Sequence, residues 1–278
     1  MNRNDIIKSA LNFTESSEYN FISEKIALSP SAAGMKIFDP PIFGFGDPDD
    51  GLFALLKNPS AIGEHFLLPR EWMPETKSVI SFFLPFTDPV KKGNRKDMSW
   101  PSEEWLHGRI EGQEFINRLA IHLQTLIADA GCSSLIPTLD TRFRSFTGDQ
   151  KTGLNFTSNW SERHAAFVCG LGTFGLSKGL ITEKGTAGRF GSILTELDLP
   201  KDIRKYNELY EYCSMCGACI RNCPVNAISM ERGKEHSICS AFQEVTAEKF
   251  KPRYGCGKCQ VGVPCENRIP VKQTPEKI

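Results

Sequence analysis

The sequence predicts an α+β protein: a mixed helix-and-strand domain over residues 1–200, then a small cysteine-rich domain over 201–278. Three observations predict it. Two compact apolar runs of strand type, at 78–85 and 188–197, flank a long amphipathic helical pattern at 102–130. Leu199-Pro200 breaks that pattern ahead of a polar linker at 201–211. Eight of the ten cysteines then fall between 213 and 265.

The elements follow in order. Ile6, Ile7, Ala10, Leu11 and Phe13 recur at near-helical spacing and predict an opening helix. The stretch 38–51 is dense in Pro, Gly and Asp and reads as a folded loop. Its Asp47, Asp49 and Asp50 could suit a hard cation, but turn chemistry accounts for them. After the strand 78–85, Trp105, Ile110, Phe115, Leu119, Leu123, Leu126 and Ile127 form one apolar stripe on a long helix ended by Gly131. A strand is expected at 134–139, ending in Asp140-Thr141. Segment 142–160 is polar and irregular, the character of a functional or mobile loop.

Residues 161–169 open like a capped helix and run into Gly170-Leu-Gly-Thr-Phe-Gly175. That run contains G-x-G-x-x-G in reversed context. The dinucleotide fingerprint needs a strand before it and a helix after, whereas here a helix precedes and the strand-like 179–182 follows. NAD and FAD are therefore rejected on this motif. The glycines serve close approach of the backbone to a flat ligand or to a neighbouring strand. Beyond the linker, 225–230 reads as a short strand and 239–250 as a helix.

Cys213-Ser-Met-Cys216-Gly-Ala-Cys219-Ile-Arg-Asn-Cys223-Pro224 is C-x2-C-x2-C-x3-C-P, in which three thiolates hold one iron–sulfur cube and the fourth reaches a second. The short gaps let the chain wrap a cube with its amides aimed at the sulfides. In the swapped arrangement Cys213, Cys216, Cys219 and Cys265 hold cluster one. Cys223, Cys239, Cys256 and Cys259 hold cluster two, so two [4Fe–4S] clusters use all eight. Zinc sites also use four cysteines but keep their CxxC pairs well separated. Disulfides need an oxidising compartment, and nothing at the N-terminus looks like a secretory signal. Cys132 and Cys169 lie in apolar company and read as inert buried thiols.

Bulk composition narrows the partners. With 33 basic and 33 acidic residues the net charge is zero, which argues against a nucleic-acid partner. No run approaches the roughly 18 apolar residues of a membrane helix, so no membrane partner is expected and the location expected is cytoplasmic.

Glu162-Arg163 before an alanine-containing helix, then Gly-Leu-Gly-x-x-Gly, Leu-Ile-Thr, Gly-Ser-Ile-Leu-Thr-Glu-Leu and the eight cluster cysteines make an ordered set. It resembles the epoxyqueuosine reductase and reductive dehalogenase superfamily, from about residue 75 to about residue 270. The resemblance implies a nitroreductase-like α/β domain that holds base-off cobalamin, followed by a bacterial two-cluster ferredoxin domain. An external low-potential donor, a ferredoxin or flavodoxin, would supply electrons singly through the outer and inner clusters to cobalt. The reaction implied is reductive cleavage or reduction of a small-molecule substrate. The rival is a ferredoxin-like carrier without catalysis, or a reductase of a corrinoid partner protein.

The resemblance also implies site residues. Gly170, Gly172, Thr173, Phe174, Gly175, Lys178 and Leu180 in the glycine segment, and Arg189, Gly191 and Ser192 in the next strand, would contact the corrin. Asp140 stands where the family has its proton donor, though about twenty residues separate it from Glu162. His107 and Arg163 complete the candidate catalytic set. Epoxyqueuosine reductases carry a further repeat domain that grips tRNA, and respiratory dehalogenases a twin-arginine signal. This sequence shows neither, which points to a different substrate.

Overall fold

The computed structural model describes residues 1–149 and 151–271. At its centre is a four-stranded antiparallel sheet in the spatial order Ile42–Gly46, Ser78–Pro85, Gly188–Thr195, Ser134–Leu135. Every residue of Ser78–Pro85 is buried, because both faces of the sheet are covered. Alternation along the strands sorts the side chains. Ile80, Phe82, Leu84 and Ile193 pack with the helices Arg3–Ser16 and Glu103–Asp129. Val79 and Leu194 turn the other way, toward Trp72, Trp160 and the helix Glu162–Val168.

The long helix is delimited as its sequence expects. Ser102 accepts from the Trp105 amide at 3.2 Å, and Glu103 and Glu104 sit in the first turn, where the helix dipole favours acids. Gly131, at φ 78°, turns the chain away beyond its end.

Two segments depart from expectation. The stretch 38–51 holds the strand Ile42–Gly46, and small residues are what admit it. A Cβ at Gly44 would lie 2.4 Å from the Cys169 carbonyl oxygen, and one at Gly46 would lie 2.6 Å from Cys169 Sγ. Its aspartates do serve turns: Asp47 accepts from the Asp49 amide and Asp50 from the Leu52 amide. The strand expected at 134–139 stops at Leu135, because Pro137 has no N–H to give, and Pro137–Leu139 winds into a 3-10 turn.

That early stop positions the site. Gly188–Thr195 is paired along its whole length with Ser78–Pro85. On its other edge only Leu194 and Thr195 find strand partners, in Leu135 and Ser134. Among the described residues no strand covers that edge at 188–193.

The cysteine-bearing segment docks beside this edge. It carries the helices Ala218–Arg221 and His236–Lys249 and a ribbon of Ile228–Ser229 with Gly233–Lys234. Buried polar groups fasten it. Asn94 Nδ2 donates to the Cys256 carbonyl at 2.9 Å, and Lys258 Nζ donates to the Asn94 carbonyl at 2.6 Å. The Thr186 amide donates to the Cys265 carbonyl at 2.9 Å. Gly257, at φ 70°, lets the turn 256–259 lie on Trp105, whose indole would stand 1.9 Å from a Cβ there. Among the described residues no helix is long and apolar enough to cross a membrane.

Candidate active site at the sheet edge

A cavity of about 520 Å³ lies against the uncovered edge, within the size range of ligand pockets. Arg189, Gly191 and Ser192 of the strand form one wall, and Arg109 and Gln113 of the long helix another. Glu162 and Arg163 enter from the start of their helix. Cys223, Cys239, Cys256 and Cys259 face the cavity from the cysteine-bearing segment.

Those four are the cysteines expected for cluster two. Cys213, Cys216, Cys219 and Cys265 stand outside the cavity lining, and Cys216 is exposed to solvent. Electrostatic neighbours divide in the same way. Cys265 faces Cys213, Cys219 and Cys216, while Cys256 faces Cys259 and Cys239, and Cys259 faces Cys239 and Cys223. Cys219 and Cys259 form the junction between the sets. Burial pushes the Cys219 thiol up to about 11 and those of Cys256 and Cys265 up to about 12. Metal binding to such thiols must displace protons. Among the described residues no three His, Cys, Asp or Glu side chains gather closely enough to hold a single ion. Tetrahedral zinc needs four sulfurs about 2.3 Å from one point, whereas a cube takes its thiolates at separate corners, so the donor sets suit cubes.

The opposite wall carries proton chemistry. Both carboxylate oxygens of Glu162 are buried without a hydrogen-bond partner. Ser192, Trp160 and Thr138 lie near enough to favour the charged form, but Trp160 Nε1 gives its proton to Ser192 Oγ at 3.0 Å. Burial dominates and pushes the Glu162 carboxyl up to about 7. Such a group can both hold and release a proton near neutral pH. Arg163 donates to the Lys178 carbonyl, and its charge faces Cys259. Arg189 donates to the Gln113 side-chain carbonyl but leaves its Nε without a partner. Burial, aided by nearby Arg109, brings Arg189 down to about 9. His236 also lines the cavity and is held neutral by burial and by Lys234, at about 4.

Of the residues expected from the sequence, the cavity collects Arg163, Arg189, Gly191, Ser192 and four cysteines. Asp140 is not among its lining residues. It grips Arg142 through two bonds of 2.9 and 3.0 Å, which hold its carboxyl below the usual range, and Arg142 lies over the Trp72 ring. His107 is fully buried elsewhere. Its Nε2 accepts from the Leu28 amide at 3.1 Å, so Nδ1 carries the proton and donates to Glu111 at 3.0 Å. Glu111 in turn clamps Arg253. His107 is thus placed as a pin between the long helix and neighbouring loops.

Gly170, Gly172, Thr173, Phe174, Gly175, Lys178 and Leu180 also lie outside the cavity lining. Gly172–Phe174 pairs with Leu180–Thr182, and a Cβ at Gly172 would stand 2.0 Å from the Ile181 carbonyl oxygen. The glycine therefore permits strand approach. Thr173 Oγ1 accepts from the Tyr212 amide at 2.8 Å, and a Cβ at Gly175 would meet Cys213 Sγ at 3.8 Å. This hairpin props the outer thiol set.

Arg109 and Gln113 line the cavity without standing out in the sequence. Their signal was present: two polar residues four apart, hence on one face, within the apolar helix. Glu162 was visible as part of a motif, but an acid in a first helical turn is ordinary dipole chemistry. Its burial is a tertiary fact.

Fold and site together define an iron–sulfur protein with a ligand cavity against its inner thiol set. Residues 209–229 match the 4Fe-4S binding domain family. The chain is similar to the epoxyqueuosine reductase of Vibrio cholerae, 22% identical over 222 residues, covering 74% of this chain and 54% of that protein. It is similar to the tetrachloroethene reductive dehalogenase of Desulfitobacterium hafniense, 32% identical over 113 residues, covering 38% of this chain and 20% of that protein. In fold it resembles the solved epoxyqueuosine reductase from Streptococcus thermophilus, with TM-score 0.50 and 15% identity, over 99% of this chain and 70% of that one. It likewise resembles a catabolic reductive dehalogenase, with TM-score 0.51 and 16% identity, over 83% of this chain and 30% of that one. The relatives it matches are thus epoxyqueuosine reductases and reductive dehalogenases, and the chain is similar to both. It spans about half the length of the epoxyqueuosine reductases it matches.

Proposed function

We propose that this chain is a cobalamin-dependent reductase with two [4Fe–4S] clusters and a nitroreductase-like first domain. Bound clusters would pass electrons singly from an external low-potential donor to the cavity, where a bond of a small-molecule substrate would be reduced or reductively cleaved. One observation carries this: one thiol set lines the cavity while the other includes solvent-exposed Cys216. Electrons thereby have an outside-to-inside order.

The residues present suit cobalamin. The Glu162 carboxylate and Arg189 Nε are buried without partners, and the uncovered strand edge has backbone polar groups to satisfy. The amide-fringed rim of a corrin can meet both needs. When bound, cobalamin supplies the strongly reducing, bond-breaking centre. The chain's own residues supply position, charge and proton. Arg189, Gly191 and Ser192 hold the ligand against the sheet edge, and Trp160 fixes the Ser192 hydroxyl. Arg163, beside Cys259, offsets the negative charge that each electron brings to the inner thiol set. Glu162 holds a proton on a carboxyl oxygen near neutral pH and releases it into the cavity as negative charge develops there. We assign that role to Glu162 in preference to Asp140, whose carboxylate is taken up by Arg142. Titration of the cluster-loaded protein with cob(II)alamin under anaerobic conditions should saturate at one equivalent by absorbance. No binding would overturn the proposal and leave a ferredoxin-like carrier.

A further inference from the structure

We infer that Arg189 and Arg109 together bind an oxyanion, a carboxylate or phosphate group, inside this cavity. Arg189 is half-buried, its Nε is buried without a partner, and its side-chain bond goes to the neutral Gln113. Arg109 lies close enough to disfavour its charge. Arg109 itself bonds the Tyr254 hydroxyl at 3.1 Å and lies 4.6 Å from the centre of that ring. Among the described residues neither arginine has a carboxylate within ion-pair reach.

The other cations around the cavity lie toward the thiols, away from this wall. Arg163 faces Cys259, Lys258 faces Cys256 and bonds Asn94, and Lys234 faces Cys259. The carboxyl of Glu162 lies by Ser192, whose side chain leaves the strand on the opposite face from that of Arg189. Two half-buried guanidiniums thus line one cavity wall with no carboxylate side chain among the described residues to pair them, an arrangement that an arriving anion would relieve. The guanidinium fork matches carboxylate and phosphate oxygens in pairs. An acidic group on the substrate and the phosphodiester in the tail of cobalamin have the same chemistry here. The inference rests on the cavity being a ligand site.

The test is calorimetric titration of the cluster-loaded protein, under anaerobic conditions, with benzoate and with inorganic phosphate. It is run on the protein alone, with cobalamin bound, and with cobinamide bound, which lacks the phosphodiester. At least one anion should bind, and Arg189→Gln and Arg109→Gln should each weaken it ten-fold or more with the cluster absorbance unchanged. Anion binding that survives cobalamin assigns the site to an acidic substrate. Binding blocked by cobalamin but not by cobinamide assigns it to the cofactor tail. Should Arg189→Gln fail to fold, Arg109→Gln decides. No anion binding, or variants that bind as tightly as the native protein, would overturn the inference. Anion binding without any cobalamin binding would uphold it while removing the proposed function.

Discussion

Replacing Glu162 by Gln isolates the buried carboxyl. Burial carries that group from its ordinary 4.5 to about 7. Between those two pH values the folded protein holds one proton that the unfolded chain has lost, so stability falls as pH rises and levels off above 7. The whole window corresponds to about 3 kcal/mol, and the part above pH 5.5, where clusters are safer from acid, to about 2 kcal/mol. Gln keeps the shape and cannot ionise. Anaerobic denaturant unfolding of both cluster-loaded proteins at pH 5.5 and 8 gives the comparison. The native protein should lose about 2 kcal/mol relative to Glu162→Gln across that interval, with the difference largest at the higher pH. Infrared spectra at pH 6 should show a protonated carboxyl band in the native protein that the variant lacks. Parallel stability profiles and no such band would refute the burial argument, and with it the proton-holding role.

Three further outcomes follow from the same geometry. Cys265→Ala should lower the iron content or give a three-iron species by EPR, and an undiminished iron content would remove Cys265 from cluster one. His107→Ala should cost roughly 2–4 kcal/mol in denaturant unfolding, because it strips partners from the Leu28 amide and Glu111 in a buried setting. Cobalamin affinity should not change; its loss at unaltered stability would return His107 to the cavity. Asp140→Asn disrupts a partly exposed pair and should shift stability by about 1 kcal/mol or less. Reduction of an identified substrate should continue in that variant, and its abolition would move the proton-donor role from Glu162 to Asp140.

What was legible in the sequence was periodic or locally spaced. The stripe from Trp105 to Ile127 gave a helix within a residue of its observed ends. The apolar runs 78–85 and 188–197 gave the two central strands, and of the eight clustered cysteines four line the cavity. Ile42–Gly46 was hidden because Pro, Gly and Asp surround it, and its glycines answer to Cys169 from a distant helix end. The cavity was hidden for a similar reason. It exists because Pro137 cuts a strand short and a separate segment docks against the edge so exposed. Glycine spacing at 170–175 left a flat ligand or a neighbouring strand open, and Gly172 meets a strand ten residues on. Arg189 and Ser192 were placed by resemblance, while the burial of Glu162 depends on Trp160, Thr138 and Ser192 converging from three parts of the chain.

The most direct measurement is EPR of cob(II)alamin bound to the cluster-loaded protein, recorded before and after reduction of the clusters. A base-off cobalt signal at one equivalent is expected. Reduction should broaden it through the neighbouring cluster of Cys223, Cys239, Cys256 and Cys259, and Cys239→Ala should weaken that broadening. Failure of cobalamin to bind, or a bound cobalt signal indifferent to cluster reduction, would contradict a cavity wired to the inner thiol set.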